Sequence, residues 1–249
     1  MARILVTNDD GIHSAGIAAL AEALRAVGEV YVVAPVSEMS GASHSLTLSR
    51  PLRIRQLEER SWSVDGTPTD CVMLALNQIL PPELRPDICV SGINYGANLG
   101  ADVSYSGTVA GALEATIMGV PGLALSLATR RDFDFAEAAK FSVIAVQKVL
   151  REGLPQGTLL NINIPPGPYK GARVTRQGVK MSRPAIAENR DPRGKLYYWI
   201  GEEYYGRDAV EGTDYRAIAD GLVSITPLRS DWTDHRALSA LGGWRLDEV

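Results

Sequence analysis

The alternation of two hydrophobic periodicities along the first two thirds of the chain constrains its fold most. Short apolar runs of strand length are followed by longer segments in which apolar residues recur at helical spacing. The first pair shows the pattern: ARILVTN at 2–8 is strand-like, and SAGIAALAEALRAVG at 14–28 has an apolar helical face and a glycine stop. Fully apolar strands alternating with helices favour a sheet covered on both faces. We therefore predict a doubly wound, Rossmann-like α/β fold with a mostly parallel sheet.

The same pattern predicts the other elements of this sheet. We expect strands at 29–35, 87–91, 122–126 and 159–165, and helices at 69–80, 107–118 and 135–151. The segment 45–64 breaks the rhythm, because its apolar and polar residues alternate as in an antiparallel hairpin. The apolar run LLNINIP at 159–165 is expected to be the last strand of the series.

The composition changes after Pro165. The following segment is rich in Arg, Tyr and Gly, 194–206 is typical of an extended ribbon, and a terminal helix is expected at 234–241. Such a segment has little core of its own, so its Trp and Tyr side chains are expected to pack on a second subunit. We predict a Rossmann-like catalytic domain over 1–165, and an extended β-hairpin arm with a terminal helix for oligomerisation over 166–249.

Composition excludes several classes of protein. The 249 residues are 45% hydrophobic and 22% charged, which is ordinary for a globular enzyme and excludes a disordered chain. A net charge of −4 provides no positive field that would attract a nucleic-acid polymer. No apolar run approaches the ~18 residues of a membrane span, and no signal peptide precedes the first strand, so we expect a cytoplasmic protein with no membrane partner. Cys71 and Cys89 lie in apolar stretches and are expected to be free, buried thiols.

Two adjacent acidic residues follow the first predicted strand. Asp9 and Asp10 therefore lie at the carboxyl edge of the sheet, where open parallel sheets bind their ligands. Their carboxylates repel one another, and a divalent cation such as Mg²⁺ or Mn²⁺ would relieve that repulsion and use their hard oxygens. The alternative interpretation is that one Asp caps the following helix and the other is solvated.

Two polar loops follow other strands that end at the same edge. SEMSGASHS at 37–45 follows the second strand, and SGINYGANLG at 91–100 follows the apolar run ICV. Each loop alone is a weak signal, because polar loops follow most strands. Together with Asp9 and Asp10 they allow two carboxylates, serine oxygens and an amide oxygen to converge on one ion.

A third feature of this edge is a glycine between two hydroxyl residues. Ser106, Gly107 and Thr108 open a predicted helix, and backbone N–H groups at a helix start suit a phosphate. An ordinary serine N-cap explains the same residues. A cation beside a phosphate-binding turn favours phosphoryl chemistry.

Four other classes of phosphate-handling domain lack their motifs here. The first turn reads DDGIHSAG and not G-x-G-x-x-G, which excludes a dinucleotide-binding domain. A P-loop needs GK[ST], but the first lysine of this chain is Lys140. A receiver domain also carries an acidic pair after its first strand, but it needs a lysine after its last strand, and the relevant stretch holds none. Aspartyl-nucleophile phosphatases use D-x-D, with one residue between the carboxylates.

Several motifs in a fixed order carry a family resemblance. They are NDDGI, SGxN and SGTV-x-GA, within the segments ILVTNDDGIHSAGI, VVAPVSEMSGASHSLTL, GTPTDCV, SGINYGANLGADVSYSGTVAGALEA and LLNINIP. YYWIGEE and DGLVSITPL extend the match into the arm. Over nearly its whole length the chain resembles the SurE family, which are metal-dependent nucleoside-monophosphate phosphatases.

The resemblance implies a site. It implies one divalent cation per subunit, Mg²⁺ or Mn²⁺, held by Asp9, Asp10, Ser40 and Asn94, with Asp9 and Asp10 as the catalytic residues. The phosphate- or substrate-binding residues that it implies are Asn8, Asn94, Ser106, Gly107 and Thr108. The residue at position 44 differs among members, so His44 is given no catalytic role.

The resemblance also implies a reaction and an assembly. The reaction is hydrolysis of nucleoside 5′- and 3′-monophosphates and, in some members, of short polyphosphate, in a homodimer or homotetramer that exchanges C-terminal segments. We expect Asp9 or Asp10 to orient the attacking water or to accept its proton. The second hypothesis is a regulatory module that binds nucleotides without useful turnover. The acidic pair argues against it, because a pure binder has little need for two carboxylates beside a phosphate.

Overall fold

The computed structural model of the protein describes residues 1–179, 182–204 and 210–244. In chain order the strands are β1 (Ala2–Thr7), β2 (Gly28–Pro35), β3 (Ile54–Glu58), β4 (Ser61–Val64), β5 (Ile88–Tyr95), β6 (Gly122–Leu127), β7 (Thr158–Ile164), β8 (Ala172–Val174), β9 (Ser182–Arg190), β10 (Leu196–Tyr204) and β11 (Val223–Arg229). The α-helices are α1 (Ala15–Leu24), α2 (Pro68–Leu74), α3 (Gly107–Ile117), α4 (Ala136–Glu152), α5 (Asp214–Ala219) and α6 (Ala237–Leu241).

The main sheet has nine strands in the order β3-β4-β2-β1-β5-β6-β7-β11-β8. From β4 to β7 all neighbours are parallel, and Val6 of β1 aligns with Val32 on one side and Val90 on the other. Ile4 and Val6 pack in the core shared with α1 and α4, whereas Leu5 packs with α2 on the opposite face. The predicted doubly wound α/β fold is confirmed, and β1 lies near its centre with its carboxyl end beside those of β2 and β5.

Three elements differ from the predictions. The helix expected at 69–80 is α-helical only over α2 and continues as a π-helical turn at Ala75–Ile79, a change in hydrogen bonding that apolar spacing does not reveal. β5 runs to Tyr95 rather than to residue 91, with a register shift between Ser91 and Asn94 against β6. The hairpin expected over 45–64 is confined to β3 and β4, and β4 also pairs in parallel with β2.

The strand expected at 159–165 is β7, which closes the parallel series but is not the edge of the sheet. β11 pairs antiparallel with β7, and β8 pairs with β11, so two later strands extend the sheet. The apolar signal of these strands is weak because the three residues of β8 are exposed and the buried residues of β11 include Ser224 and Thr226. The Thr175 hydroxyl is hydrogen-bonded to the hydroxyls of Ser224 (2.8 Å) and Thr226 (2.7 Å) inside the sheet edge.

The predicted β-hairpin arm is confirmed as a separate sheet. β9 and β10 pair antiparallel with each other, away from the main sheet, and their apolar side chains Tyr198, Trp199 and Ile200 are exposed. The terminal helix α6 is shorter than the predicted 234–241. Residues 205–206 of the predicted ribbon, like 180–181, 207–209 and 245–249 of the predicted arm, lie outside the described residues. The division of the chain at residue 165 stays a prediction.

Two smaller expectations concern thiols and membrane spans. Cys71 and Cys89 are free and buried as expected, and burial raises the pKa of the Cys89 thiol to about 12. Across the described ranges no helix combines the length and the apolar character that crossing a membrane requires.

Candidate active site

Asp9 sits where the carboxyl end of β1 meets the start of α3. Its carboxylate is 4% exposed and accepts a hydrogen bond from the Thr108 hydroxyl, with 2.5 Å between the two oxygens. A Cβ atom at Gly107 would lie 2.8 Å from the Asp9 Cβ, so only glycine allows this approach. The structure therefore brings Asp9 together with Gly107 and Thr108, two of the residues that are expected to bind phosphate.

The environment of Asp9 opposes its ionisation only in part. Burial raises the pKa of the Asp9 carboxyl, and hydrogen bonds from the Thr108 hydroxyl and from backbone N–H groups at Gly107 and Thr108 act in the opposite direction. These N–H groups belong to the first turn of α3, where the helix dipole favours negative charge. Asp9 thus occupies an anion-binding position at a helix start.

Asp10 carries the least compensated charge of the site. Burial, then the neighbouring Asp9 charge, raises the pKa of Asp10 to about 7, although a hydrogen bond from the Tyr95 backbone lowers it. The Glu38 carboxylate adds a further, smaller repulsion. Asp10 Oδ2 is buried and, within the described part of the chain, has no hydrogen-bond partner. A positively charged ligand at this oxygen would compensate for the free-energy cost of burying a carboxylate oxygen without a hydrogen-bond donor.

Asn8 shapes the loop that carries the acidic pair. Its Nδ2 donates to the Gly11 carbonyl oxygen at 3.0 Å and to Ser14 Oγ at 2.8 Å, so its amide nitrogen is engaged in the loop rather than free for a phosphate. Its Oδ1 is buried and lacks a partner in the described residues. The helix that follows has Ser14 at its N-cap position without a side-chain cap, so the alternative that an Asp caps α1 is wrong.

Ser40 lies on the loop after β2, and Asn94 lies near the carboxyl end of β5. Ser40 is exposed and its hydroxyl donates to Glu38 Oε1 at 2.7 Å, while the next residue back, Met39, donates its N–H to the Asp9 carbonyl oxygen at 2.7 Å. Asn94 Nδ2 donates to the Gly96 carbonyl oxygen at 2.8 Å, which leaves its Oδ1 as an acceptor. Neither side chain is hydrogen-bonded to Asp9 or Asp10. The structure places Ser40 and Asn94 at this edge of the sheet but does not show the four residues in contact.

The hydroxyls at the start of α3 have different partners. Ser106 Oγ accepts the Val109 N–H at 3.1 Å, so the N-cap interpretation holds for this residue. Thr108 is fully buried and its hydroxyl donates to Asp9. A phosphate at this turn would share its donors with the Asp9 carboxylate.

The donor atoms fit a hard divalent cation. No group of three His, Cys, Asp or Glu residues suitable for a metal occurs among residues 1–179, 182–204 and 210–244, so such an ion would need neutral oxygens beside the acidic pair. Asp10 Oδ2 and Asn8 Oδ1 are buried acceptors without donors in these ranges. Carboxylate and amide oxygens are the ligands that Mg²⁺ and Mn²⁺ prefer.

The sequence does not predict the contacts that other polar groups make near this edge. Glu38 is hydrogen-bonded to Ser40 and acts on Asp10 by its charge; its place in the SEMSGASHS loop was the available signal. The hydroxyls of Thr7 and Ser91, at aligned positions of β1 and β5, are buried and without described partners. His44 Nε2 lies 2.8 Å from Glu114 Oε2 on α3, a contact across 70 residues that no local pattern reveals.

Comparisons with known proteins place the chain in one family. The family model described as "Survival protein SurE" matches residues 4–184. The 5′-nucleotidase SurE of Myxococcus xanthus is 51% identical over 98% of this chain and 94% of its own length, and that of Geobacter sulfurreducens is 50% identical over 98% and 94%. The crystal structure of the SurE protein from Aquifex aeolicus has a TM-score of 0.86 and 47% identity, and the match covers 96% of this chain and 98% of that one.

Proposed function

Because the chain belongs to the SurE family, we propose that it is a metal-dependent phosphatase that hydrolyses nucleoside 5′-monophosphates to nucleoside and phosphate. The relatives named 5′-nucleotidase match it over nearly its whole length. The observation that carries the proposal is the Asp9–Asp10 pair, in which Asp9 contacts the start of α3 and Asp10 Oδ2 is buried without a described donor. A buried pair of this kind is expected where a cation binds beside a phosphate.

We further propose that Asp9, Asp10, Ser40 and Asn94 hold one divalent cation. When bound, such an ion neutralises phosphoryl charge and makes a water more acidic. Thr108 keeps Asp9 in place through its hydrogen bond. The Oδ2 atom of Asp10, which has no described donor, is suited to orient the attacking water. Asn8 holds the loop, and the first turn of α3, Ser106 to Thr108, faces the transferring phosphoryl group with its N–H dipoles. On the β5 side, Asn94 Oδ1 is the oxygen that would bind the cation, because its Nδ2 is hydrogen-bonded to the Gly96 carbonyl oxygen.

The finer substrate and cation choices are part of the proposal. Mg²⁺ and Mn²⁺ both suit an oxygen-only donor set, and we propose one of them as the working ion. Nucleoside 3′-monophosphates present the same phosphomonoester and are proposed as further substrates, as is short polyphosphate. Residues 1–165 are proposed to contain the whole catalytic site.

The hairpin arm supports a proposed homodimer or homotetramer. Tyr198, Trp199 and Ile200 of β10 expose apolar surface on a two-stranded sheet that is separate from the main one. An isolated hairpin of this kind is stabilised when its face packs on another subunit. Light scattering of the intact protein measures the assembly, and a monomer would contradict this part of the proposal.

The reaction is tested by phosphate release from AMP. We expect release that stops on addition of EDTA and returns with Mg²⁺ or Mn²⁺ in excess of the chelator. Metal binding without release from any 5′- or 3′-nucleotide would instead favour the second hypothesis, a nucleotide-binding regulatory module. Release that continues unchanged in EDTA would contradict the metal-dependent assignment.

A further inference from the structure

A cavity of about 310 Å³ lies alongside α3, next to the candidate active site. We call it the α3 cavity; its walls include His44, Ser106, Leu113, Leu159, Leu228 and Trp232. None of these residues except Ser106 belongs to the proposed cation and phosphate site. Its volume is at the lower end of the range for small-molecule pockets.

The α3 cavity and the candidate active site share one turn. Gly107 and Thr108 contact Asp9, whereas the preceding residue, Ser106, lines the cavity. Leu113 lies seven residues further along α3, which corresponds to about 10 Å at 1.5 Å per residue. The lining therefore extends along α3 from the turn proposed to face the phosphate, which places the cavity where the alcohol portion of a phosphomonoester could lie.

The walls of the α3 cavity suit a flat, partly polar ring. Leu113, Leu159 and Leu228 supply an apolar surface, and Trp232 supplies an aromatic one. The rest of the lining is largely polar and includes the charged side chains of Arg229 and Asp231. An apolar and aromatic surface beside hydrogen-bonding groups is the usual form of a site that binds an aromatic heterocycle.

The orientation of the His44 ring is set by a contact with α3. Its Nε2 is 2.8 Å from Glu114 Oε2, and the Glu114 side chain is only 7% exposed. In the neutral ring that carries its proton on Nε2, this proton is donated to the carboxylate and Nδ1 is an acceptor. In the described ranges no hydrogen bond to Nδ1 is found.

We propose that the α3 cavity binds the nucleoside half of the substrate, and that His44 is a specificity-determining residue that accepts a hydrogen bond from it through Nδ1. This inference rests on the proposed function and assigns the part of the substrate that the Asp9–Asp10 site does not contact. The donor is an exocyclic amino group or a ribose hydroxyl, and comparing AMP with IMP distinguishes them, because the hypoxanthine ring lacks the amino group.

The first test blocks the cavity and compares two phosphomonoesters. Leu228→Trp fills it from β11, and Val174→Trp, an exposed position on β8, is the matched control. We expect kcat/KM for AMP to fall at least about 10-fold in Leu228→Trp, because a lost nucleoside contact costs that much. With p-nitrophenyl phosphate, which has no nucleoside, kcat/KM should stay within about twofold. Equal losses for both substrates would contradict the proposal.

The second test examines His44 itself. His44→Ala is expected to raise KM for AMP about 10-fold with little change in kcat, and His44→Asn, whose Oδ1 lies as many bonds from Cβ as Nδ1, should restore much of it. The exposed His13→Ala is the control. A merely structural role would change the denaturation midpoint and the kinetics with p-nitrophenyl phosphate as well. No rescue by Asn, together with those losses, would overturn the assignment.

A binding measurement separates this inference from the phosphatase proposal. Adenosine added to the metal-free protein should quench tryptophan fluorescence, and Trp232→Phe should abolish the quench. This result is expected even if phosphate release fails, whereas release from AMP without quench would overturn the cavity assignment alone. If Leu228→Trp leaves AMP kinetics unchanged but alters the mass measured by light scattering, the cavity belongs to contacts with a second copy, which also overturns it.

Discussion

Two buried aspartate sites in this molecule are built in opposite ways. Asp214, at the start of α5, is fully buried and accepts backbone N–H groups from Gly100, Gly178 and Tyr215, each at 2.8 Å. Asp10, in the acidic pair after β1, has a buried oxygen that no described donor reaches. Buried carboxylates that only support a fold are normally satisfied in this first way. The shortage of donors at the acidic pair therefore indicates a site that is completed by a ligand.

Their surroundings show the same contrast. Asp214 joins the loop after β5 to the segment after β8 with donors that the chain itself provides. The acidic pair faces further negative charge, since the Glu38 carboxylate raises the pKa of Asp10. No basic side chain is among the groups that lower this pKa. Replacing each aspartate by asparagine is therefore a matched pair of changes with opposite expected results.

The largest expected effect is on the activity of Asp10→Asn. Removing this charge should lower kcat/KM for AMP at least about 100-fold. Changing a residue that only supports a metal ligand already costs up to about 100-fold, and Asp10 is proposed to be a ligand itself. The Asp10→Asn protein should keep its fold, because the amide removes the repulsion between the carboxylates of residues 9 and 10. Steady-state phosphate release at saturating Mn²⁺ measures the loss. An Asp10→Asn enzyme with wild-type turnover would contradict the ligand assignment.

Asp214→Asn should affect stability instead. The amide group turns a donor toward a backbone N–H and loses a charged acceptor, which should reduce the free energy of unfolding by about 3 kcal/mol. Below the unfolding transition, kcat/KM should remain within a few-fold of wild type. Urea denaturation followed by circular dichroism gives the first quantity. Unchanged stability would show that the hydrogen bonds to Asp214 do not stabilise the fold, and would contradict the contrast between the two sites.

Thr108→Val should have a smaller effect on the acidic pair. It keeps the buried shape but removes the hydroxyl that donates to Asp9, so Asp9 loses one of its few compensating contacts. We expect kcat/KM to fall about 10-fold, corresponding to ~1.4 kcal/mol, which is typical of one hydrogen bond to a charged group. Thr116→Val on the same helix is a control, since its hydroxyl donates only to the Ala112 carbonyl oxygen. Equal effects of the two changes would remove Thr108 from the site.

The smallest expected effect is a pH dependence of the metal-free protein. Because the pKa of Asp10 is raised from 3.8 to about 7, the folded state keeps a proton that the unfolded chain has already released. The stability that this group contributes is present below about pH 4 and is lost as the pH rises through about 7. In EDTA, the stability of Asp10→Asn relative to wild type should therefore increase over this range and level off above it. A difference that is constant with pH would show that the Asp10 pKa is not raised.

The sequence alone is sufficient to predict the parallel sheet and the edge where the site lies. Periodicity located β1, α1 and β2, and the position of Asp9 and Asp10 after an apolar strand followed from them. The start of α3 was also recognised, and its contact with Asp9 follows from the order of the strands. The SurE resemblance, rather than spacing, supplied Ser40 and Asn94.

Other features depend on contacts that local patterns do not encode. β11 carries the buried hydroxyl residues Ser224 and Thr226, which bond to Thr175 directly after the exposed β8, so neither strand has a strong apolar signal. The pairing of His44 with Glu114 joins a loop to the buried side of a helix. The charge of Glu38 acts on Asp10 only because the loop after β2 folds back over β1. In each case the partner is distant in the sequence.

The most direct test of the acidic pair as a cation site is a calorimetric titration with Mn²⁺. It uses the wild-type protein, Asp10→Asn and Asp214→Asn, all prepared without metal and held at pH 7.5. We predict one Mn²⁺ per chain for the wild type and for Asp214→Asn, and at least about 100-fold weaker binding for Asp10→Asn. If Asp10→Asn binds Mn²⁺ as tightly as the wild type does, the buried pair after β1 does not hold the cation.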